Sequence, residues 1–308
     1  MTEKFDLNVA RKYYFIKTCY EHQAITYLES NGIDVRPTFF DQYANPYQVL
    51  ENSLKLGKST YVRDESSFWK VLNELYGLKN IIGELERGDR TLFNLYYSFG
   101  VPLFITCDYF YMPYSSYYQN THINTRIILL GIEEDKVRIG DAQNFYQGLM
   151  DKEILLKAHT GFYNVPLFHY SCELIAGKST LNELIERFLT NIANQDIGNE
   201  IWDATAMRLM SDSILFEEPN VVNECLIAGI CVYSKSRLFL EWADYENTKE
   251  IARICDLLAK FWQRLQIDYN RALKRGNMDK VLLKINEIRR YEKKFSQLIN
   301  SYKPIFLK

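Results

Sequence analysis

Hydrophobic residues recur at spacings of three and four along residues 13–31, which predicts an amphipathic helix that ends at Gly32. The same spacing predicts two further short helices, over residues 66–77 and 89–99, each followed by a glycine. The first hundred residues are therefore expected to be mainly helical.

The period of the pattern then changes. Residues 101–108 and 122–132 are dense in apolar and β-branched residues, and Lys136–Asp141 alternates apolar with polar positions. These patterns predict strands. The acidic pair Glu134-Asp135 predicts a tight turn that joins the last two strands as an antiparallel hairpin.

Helical spacing returns in the second half of the chain. It predicts helices over residues 180–193, 197–213, 221–233, 248–274 and 277–302. We therefore expect an α+β domain over residues 1–174, followed by an α-helical domain over residues 175–308.

Composition narrows the class of protein. The chain has 308 residues, of which 47% are apolar and 25% charged, with 37 basic against 39 acidic side chains. This near-neutral balance gives no reason to expect a nucleic-acid partner. No stretch is long and apolar enough to predict a membrane span, and the first residues lack the pattern of a secretory signal. We expect a cytoplasmic protein whose six cysteines are mostly buried free thiols.

Three residues could form a nucleophilic triad. Cys19 lies near the start of the first predicted helix, where the helix dipole favours a thiolate. His122 begins the first hairpin strand and Asp141 ends the second, so antiparallel pairing is expected to bring them together. An imidazole oriented by a carboxylate is what a thiol nucleophile needs as its base.

Each of these residues also has an ordinary structural interpretation. Cys19 would fill the inner face of its helix, His122 would make a single hydrogen bond at a strand end, and Asp141 would be a turn residue. Taken singly, the structural interpretation is favoured. The triad is supported by the three residues together.

The segment from His122 to Asp141 resembles the His/Asp half of papain-like cysteine peptidases. Residues 15–160 are more similar to a biosynthetic branch of that fold, the butirosin biosynthesis protein H type. The resemblance is carried by Cys19 in CYEHQAITYL, by the stretch DYFYMPY at residues 108–114, and by the hairpin that ends in GD at residues 140–141. The helical second half is placed like the helical C-terminal domain of such proteins.

This resemblance implies a papain-like fold and an ATP-independent acyltransferase of natural-product biosynthesis, in a nonribosomal peptide, aminoglycoside or closthioamide-type setting. Cys19 would take an acyl group from the phosphopantetheine thioester of an acyl or peptidyl carrier protein and pass it to a small-molecule amine. His122 would be the base and Asp141 would orient it. No bound cofactor and no metal are implied, because the carrier protein brings the phosphopantetheine.

Further residues are expected to line the substrate pocket: Asp108, Tyr111, Tyr114 and His22. His22, one turn after Cys19, is also a second choice of base. Papain-like peptidases place a glutamine before the nucleophile for the oxyanion hole, and residues 9–18 contain none. The hole could use the Cys19 backbone N–H together with another donor, such as Asn8 or the hydroxyl of a nearby tyrosine. A weak oxyanion hole favours a reactive thioester donor over a peptide bond.

Two alternatives remain open. The same triad could use water, which would make the protein a thioesterase, amidase or peptidase. The fold could also be a non-catalytic module that binds a peptide or a carrier protein. The sequence leaves a homodimer interface or a lid as alternative roles for the helical half.

Overall fold

The structure, a computed structural model, describes residues 4–41, 45–56, 65–167, 181–193, 215 and 217–306. The chain divides into two compact units. One comprises residues 1–35 and 63–178, and the other residues 36–62 and 179–308. The sequence predicts that residues 36–62 belong to the first domain, whereas the structure places them with the C-terminal helices.

The first unit is α+β, as predicted. Its helices are α1 (Leu7–Lys12), α2 (Cys19–Ser30), α4 (Glu65–Tyr76), α5 (Thr91–Phe99) and α6 (Lys152–Ala158). Its strands are β1 (Lys79–Glu84), β2 (Leu103–Asp108), β3 (Asn124–Glu133), β4 (Lys136–Asp141), β5 (Tyr146–Asp151) and β6 (His159–Leu167). The strands form one antiparallel sheet in the order β1-β6-β2-β3-β4-β5.

The two faces of this sheet are covered by different helices. On one face, Ile105, Ile127 and Leu129 pack with apolar residues of α5 and α6. On the other face, Phe104 of β2 contacts the ring of Tyr27 in α2 at 6.0 Å between centroids. Because side chains alternate across a strand, β3 contributes to both cores and is buried along most of its length. The start of α2 therefore lies against the start of β3.

The predicted hairpin is confirmed as β3 and β4, with Glu133 paired to Lys136 beside the turn. A register shift between Leu129 and Gly131 moves the pairing by one residue, so that Ile128 lies opposite Gly140. Gly140 also admits the ring of Phe5, since a Cβ at this position would meet that ring at 2.8 Å. This close packing fixes the position of the β4 end that carries Asp141.

The second unit is helical, as predicted. It contains a 3₁₀ turn (Arg36–Asp41) and the helices α3 (Pro46–Leu56), α7 (Leu181–Ala193), α8 (Pro219–Ala243), α9 (Lys249–Arg275) and α10 (Asp279–Phe306). Four of the predicted C-terminal helices correspond to α7–α10, with α8 ten residues longer at its C-terminal end than predicted. The predicted helix over residues 197–213 lies outside the described residues.

A carboxylate lies in the core of the helical unit. Glu292 of α10 is fully buried and accepts hydrogen bonds from the hydroxyls of Tyr47 (3.0 Å) and Tyr233 (2.8 Å) and from the indole N–H of Trp262 (3.2 Å). Burial raises the pKa of Glu292 to about 8. The carboxyl group therefore ties α3, α8, α9 and α10 together through three polar contacts.

Candidate active site around Cys19

Cys19 is the first residue of α2, which confirms its predicted place near a helix N-terminus. Thr18 is the N-cap residue, and its hydroxyl donates to the carboxylate of Glu21 at 2.8 Å. The Thr18 side chain makes no capping hydrogen bond to the backbone, but a threonine followed by a glutamate three residues later is a sequence signature of a helix start. Local sequence thus fixes where the thiol lies.

The Cys19 thiol is partly buried, and groups of α2 and β3 influence its pKa. The backbone N–H groups of Tyr20 and Arg126 and the hydroxyl of Thr125 all lower its pKa, and so does the nearby positive charge of Arg126. Burial has the larger effect and raises the pKa above its ordinary value. At neutral pH Cys19 is therefore a thiol, surrounded by donors that would stabilise a thiolate.

Thr125, near the start of β3, lies between Cys19 and the side chains of Tyr109 and Asp141. The Thr125 hydroxyl donates to the hydroxyl of Tyr109 at 3.1 Å, and Tyr109 donates to Oδ2 of Asp141 at 3.0 Å. All three side chains are buried. The thiol and the predicted triad carboxylate are thus joined through two hydroxyl groups and not through an imidazole.

Asp141 is fully buried and accepts six hydrogen bonds. The donors are the side-chain amides of Gln23 and Asn144, the backbone N–H groups of Gln143 and Asn144, and the hydroxyls of Tyr109 and Tyr114. Burial raises the pKa of Asp141, and the donors from Asn144, Tyr109 and Tyr114 oppose that rise. Asp141 therefore organises the strand ends around the thiol.

His122 is paired with Asp108, and not with Asp141 as the sequence predicts. Its Nδ1–H donates to Oδ2 of Asp108 at 2.6 Å. The cause is register. Asp108 lies opposite Asn124, only two residues from His122. Gly140 lies opposite Ile128, so Asp141 is level with residue 127, roughly 16 Å from His122 along the strand.

His122 is also not among the groups that influence the pKa of Cys19. It precedes Thr125 by three residues, roughly 10 Å along an extended chain. Its side chain is 65% exposed, and its ring stacks on Phe110 with 4.2 Å between centroids. The structure therefore holds an exposed imidazole–carboxylate pair just before β3, and not the predicted pairing of His122 with Asp141.

Asp108 has the contacts of an orienting carboxylate and not of an open substrate contact. Its Oδ1 accepts the backbone N–H groups of Phe110 (3.0 Å) and Ile123 (3.2 Å). Burial raises the pKa of Asp108, but the hydrogen bond from His122 and these N–H donors outweigh it, so the net pKa is lowered. The carboxylate is thus held ionised beside the imidazole.

Replacing His122 with glutamine is expected to raise the pKa of Asp108, because the charge-assisted bond from the imidazole is lost. A lowered carboxyl pKa contributes stability that is present above the unfolded pKa and lost as pH falls through the folded pKa. The variant should therefore lose less stability between pH 5 and pH 2 than the parent. NMR titration of the Asp108 carboxyl carbon measures the shift, and an unchanged Asp108 pKa would contradict the pairing.

Tyr111 and Tyr114, both predicted to line the substrate pocket, lie in different surroundings. Tyr111 is partly exposed, and the centroid of its ring lies 6.2 Å from that of the His122 ring. The Arg87 guanidinium lies over the Tyr111 ring, 5.2 Å from its centroid. Tyr114 points inward, where it donates to Asp141 at 3.1 Å and stacks on Tyr146 at 3.9 Å. Tyr111 can line an opening at His122, whereas Tyr114 belongs to the carboxylate network.

His22 is not available as a base for Cys19. Its Nε2–H donates to the carbonyl of Ala10 at 2.9 Å, and its Nδ1 accepts from the side-chain amide of Gln143 at 3.1 Å. Burial lowers the pKa of His22 to about 4. Both ring nitrogens are occupied, so His22 is a neutral structural residue that ties α1 and α2 to the loop after β4.

Asn8 does not supply the oxyanion hole. It is an exposed residue in the first turn of α1, and its side-chain oxygen accepts from Arg11 at 3.4 Å. The N–H groups that reach the sulfur come from Tyr20 and Arg126 instead. Backbone donors at a helix start and a strand start need no special side chain, so the sequence does not mark them.

Thr125, Tyr109 and Gln23 are the site residues that the sequence reasoning missed. Counting pairs back from the turn at Glu134 and Asp135 would have placed Asp141 level with residue 127 or 128, since Glu133 pairs with Lys136. That count favours residues near Thr125 over His122 as neighbours of Asp141. The signal was therefore present in the hairpin register.

Among the described residues, no cluster of three or more His, Cys, Asp or Glu side chains could hold a metal ion. In the same part of the chain, no helix combines the length and the apolar character needed to span a membrane. Comparison with protein-family models and with the sequences of curated proteins found no match.

Proposed function

We propose that the protein is a cysteine-dependent acyltransferase that forms an amide from a carrier-protein thioester. The observation that carries this proposal is the position of the Cys19 thiol as the first residue of α2, where the backbone N–H groups of Tyr20 and Arg126 act to lower its pKa. Donors near a sulfur at a helix N-terminus are suited to stabilising a developing thiolate.

In the first half-reaction, the Cys19 sulfur attacks the carbonyl carbon of the donor thioester. A C–S bond forms to Cys19, the C–S bond to the pantetheine arm breaks, and the departing thiolate takes up the proton that Cys19 gave away. The product is an acyl-enzyme. Exchange of one thioester for another needs no ATP, because the two bonds are of similar energy.

In the second half-reaction, an amine attacks the acyl-enzyme and His122 accepts its proton. The imidazole is suited to this role because Nδ1 is fixed by Asp108 and the exposed ring leaves Nε2 accessible. The amide C–N bond forms, the C–S bond to Cys19 breaks, and the sulfur is reprotonated. Attack by water in place of the amine would make the protein a hydrolase with the same residues.

A second candidate is a non-catalytic module that binds an acyl carrier protein or a peptide. The observation that favours it is that burial raises the pKa of the thiol and that Thr125, not an imidazole, contacts the sulfur. In this case Cys19 would be a buried contact residue and no covalent adduct would form.

Intact-mass measurement after incubation with an acyl-pantetheine thioester separates the candidates. The acyltransferase is expected to gain one acyl mass, and Cys19→Ala is expected to abolish this gain, while Cys107→Ala, a fully buried cysteine of β2, should retain it. Adding amines should discharge the adduct faster than water does. The absence of any adduct on the folded protein would eliminate both enzymatic candidates.

His122→Gln tests the proposed division of roles in the same assay. We expect the acyl-enzyme to form at nearly the parental rate and its discharge by amines to slow about 10²-fold, within the range of general-base catalysis. Equal slowing of both steps would assign His122 to the thiol instead.

A carrier-protein donor and free thiols at all five described cysteines are consistent with the cytoplasm, which we propose as the compartment.

A further inference from the structure

Two hydroxyl groups, those of Thr125 and Tyr109, lie between the Cys19 thiol and the Asp141 carboxylate. The Thr125 hydroxyl is one of the neighbouring groups that lower the pKa of the Cys19 thiol, and it lies 3.1 Å from the hydroxyl of Tyr109, which lies 3.0 Å from Oδ2 of Asp141. Thr125 is 3% exposed, Tyr109 5% and Asp141 0%. This line of groups is therefore shielded from solvent along its length.

We propose that Thr125 and Tyr109 form a proton relay through which Asp141 acts as the base for Cys19. This inference deepens the proposed function and rests on it only in taking Cys19 as the nucleophile. It assigns activation of the thiol to a buried hydroxyl relay and leaves the exposed imidazole of His122 for the amine.

Each step of the relay conserves atoms and charge. As the sulfur attacks, its proton moves to Oγ1 of Thr125, the Thr125 proton moves to the Tyr109 oxygen, and the Tyr109 proton moves to Oδ2 of Asp141. The result is a bond between sulfur and acyl carbon and a neutral Asp141. When the pantetheine thiolate leaves, the three protons move back and the leaving sulfur is protonated.

The hydrogen bonds of the line survive this transfer with their directions reversed. Protonated Asp141 would donate to Tyr109, Tyr109 to Thr125, and Thr125 to the sulfur. No side chain has to change rotamer, because each hydroxyl both donates and accepts. A relay with fixed heavy atoms costs little reorganisation, which is the condition for effective proton transfer in a buried site.

The surroundings of Asp141 suit a proton acceptor. Burial raises its pKa above that of an ordinary aspartate, which brings it closer to the pKa of a thiol and makes proton transfer less unfavourable. The titratable and charged groups that face the line are Arg126 beside Cys19, Tyr114 on Asp141, and the buried Cys107 of β2. Only Tyr109 among the hydroxyls on Asp141 also bonds Thr125.

Alkylation of Cys19 by iodoacetamide between pH 5.5 and pH 10 tests the relay without any thioester. The rate is measured on the peptide that contains residue 19, so that the other cysteines do not contribute. Thr125→Val is expected to slow alkylation at pH 7 about tenfold or more and to move the pH profile upward, within the range for loss of a proton-transfer group. Thr125→Ser keeps the hydroxyl and should restore the rate to within about threefold.

Tyr109→Phe distinguishes a relay from a simple hydrogen-bond donor. If Thr125 only donated to the sulfur, loss of the Tyr109 hydroxyl would free the Thr125 proton for the thiolate, and alkylation would stay the same or become faster. The relay predicts that it becomes slower. Tyr114→Phe is the matched control, because it removes a hydroxyl from the same Oδ2 atom but leaves the line intact.

The outcomes separate the relay from the proposed function. If Tyr109→Phe reacts like Tyr114→Phe, or if His122→Gln alone reproduces the slow alkylation, the relay is wrong even where the thioester assay succeeds. If alkylation depends on Thr125 and Tyr109 but no thioester acylates the protein, the relay stands and the acyltransferase proposal fails. The rate of acylation, plotted against the deuterium fraction in H₂O/D₂O mixtures, should give a curved line, since several protons move together.

Discussion

Replacing Asp141 with alanine is expected to lower the free energy of unfolding of the α+β unit by about 3–5 kcal/mol, the cost of removing one partner from a buried charged network. Six hydrogen bonds to Asp141 would be lost. Each buried donor left without an acceptor costs about 1–3 kcal/mol. Some donors will find water in the space that the carboxylate leaves, which keeps the total below their sum.

Hydrogen exchange of the β3 and β4 backbone amides measures this loss within the unit concerned. Asp141→Asn is the matched variant, since it keeps the shape and one acceptor oxygen, and the hydroxyls of Tyr109 and Tyr114 can turn to accept from the new amide. We expect its loss to be less than half that of the alanine variant. Equal protection of β4 in the parent and Asp141→Ala would show that the network does not hold the strand ends.

The second large effect is expected in the helical unit, where Glu292→Gln should remove a pH dependence of stability. Glu292 ionises near pH 4.5 in an unfolded chain, and burial raises its folded pKa to about 8. Between these values the folded state holds a proton that the unfolded state has released. The free energy of unfolding therefore falls as pH rises through this window, by about 1.4 kcal/mol per pH unit and about 5 kcal/mol in all.

Glutamine imitates the protonated acid, because it offers one acceptor and one donor to Tyr47, Tyr233 and Trp262. Parent and variant should be similarly stable at pH 4, and the variant should be more stable by several kcal/mol at pH 9. Urea unfolding followed by hydrogen exchange in α8 and α10 gives the difference at each pH. Glu287→Gln, an exposed position on the same helix, should change nothing, and a pH-independent gain in Glu292→Gln would refute the titration.

The two units depend on their sequence to different degrees. The periodicity of apolar residues predicted α7, α8, α9 and α10, because long amphipathic helices are specified by local spacing. The periodicity missed α3, which begins at Pro46 in a stretch with several polar residues. Residues 36–62 join the C-terminal helices through side chains such as Tyr47, which reaches Glu292. Such long-range contacts leave no mark in a local pattern.

The sheet shows the same division. β2, β3 and β4 were predicted, because they are continuous apolar or alternating runs around a tight turn. The edge strand β1 is largely exposed and β5 alternates weakly, so neither has a strong hydrophobic signal. β6 carries a proline and polar residues, and its pairing with β1 and β2 joins distant segments. Strand order could therefore not be predicted from the chain alone.

For the site, sequence by itself determined that Cys19 lies in an early helix and that Asp141 ends a hairpin strand, whereas the structure begins that helix at Cys19 and not at residue 13. Only the tertiary structure decided which side chains meet. The register between β2 and β3 gives His122 to Asp108, and the one-residue shift in the hairpin brings Asp141 to Tyr109 and Thr125. A single residue of register moves a side chain by about 3.3 Å and to the opposite face, so partners are fixed by the sheet as a whole.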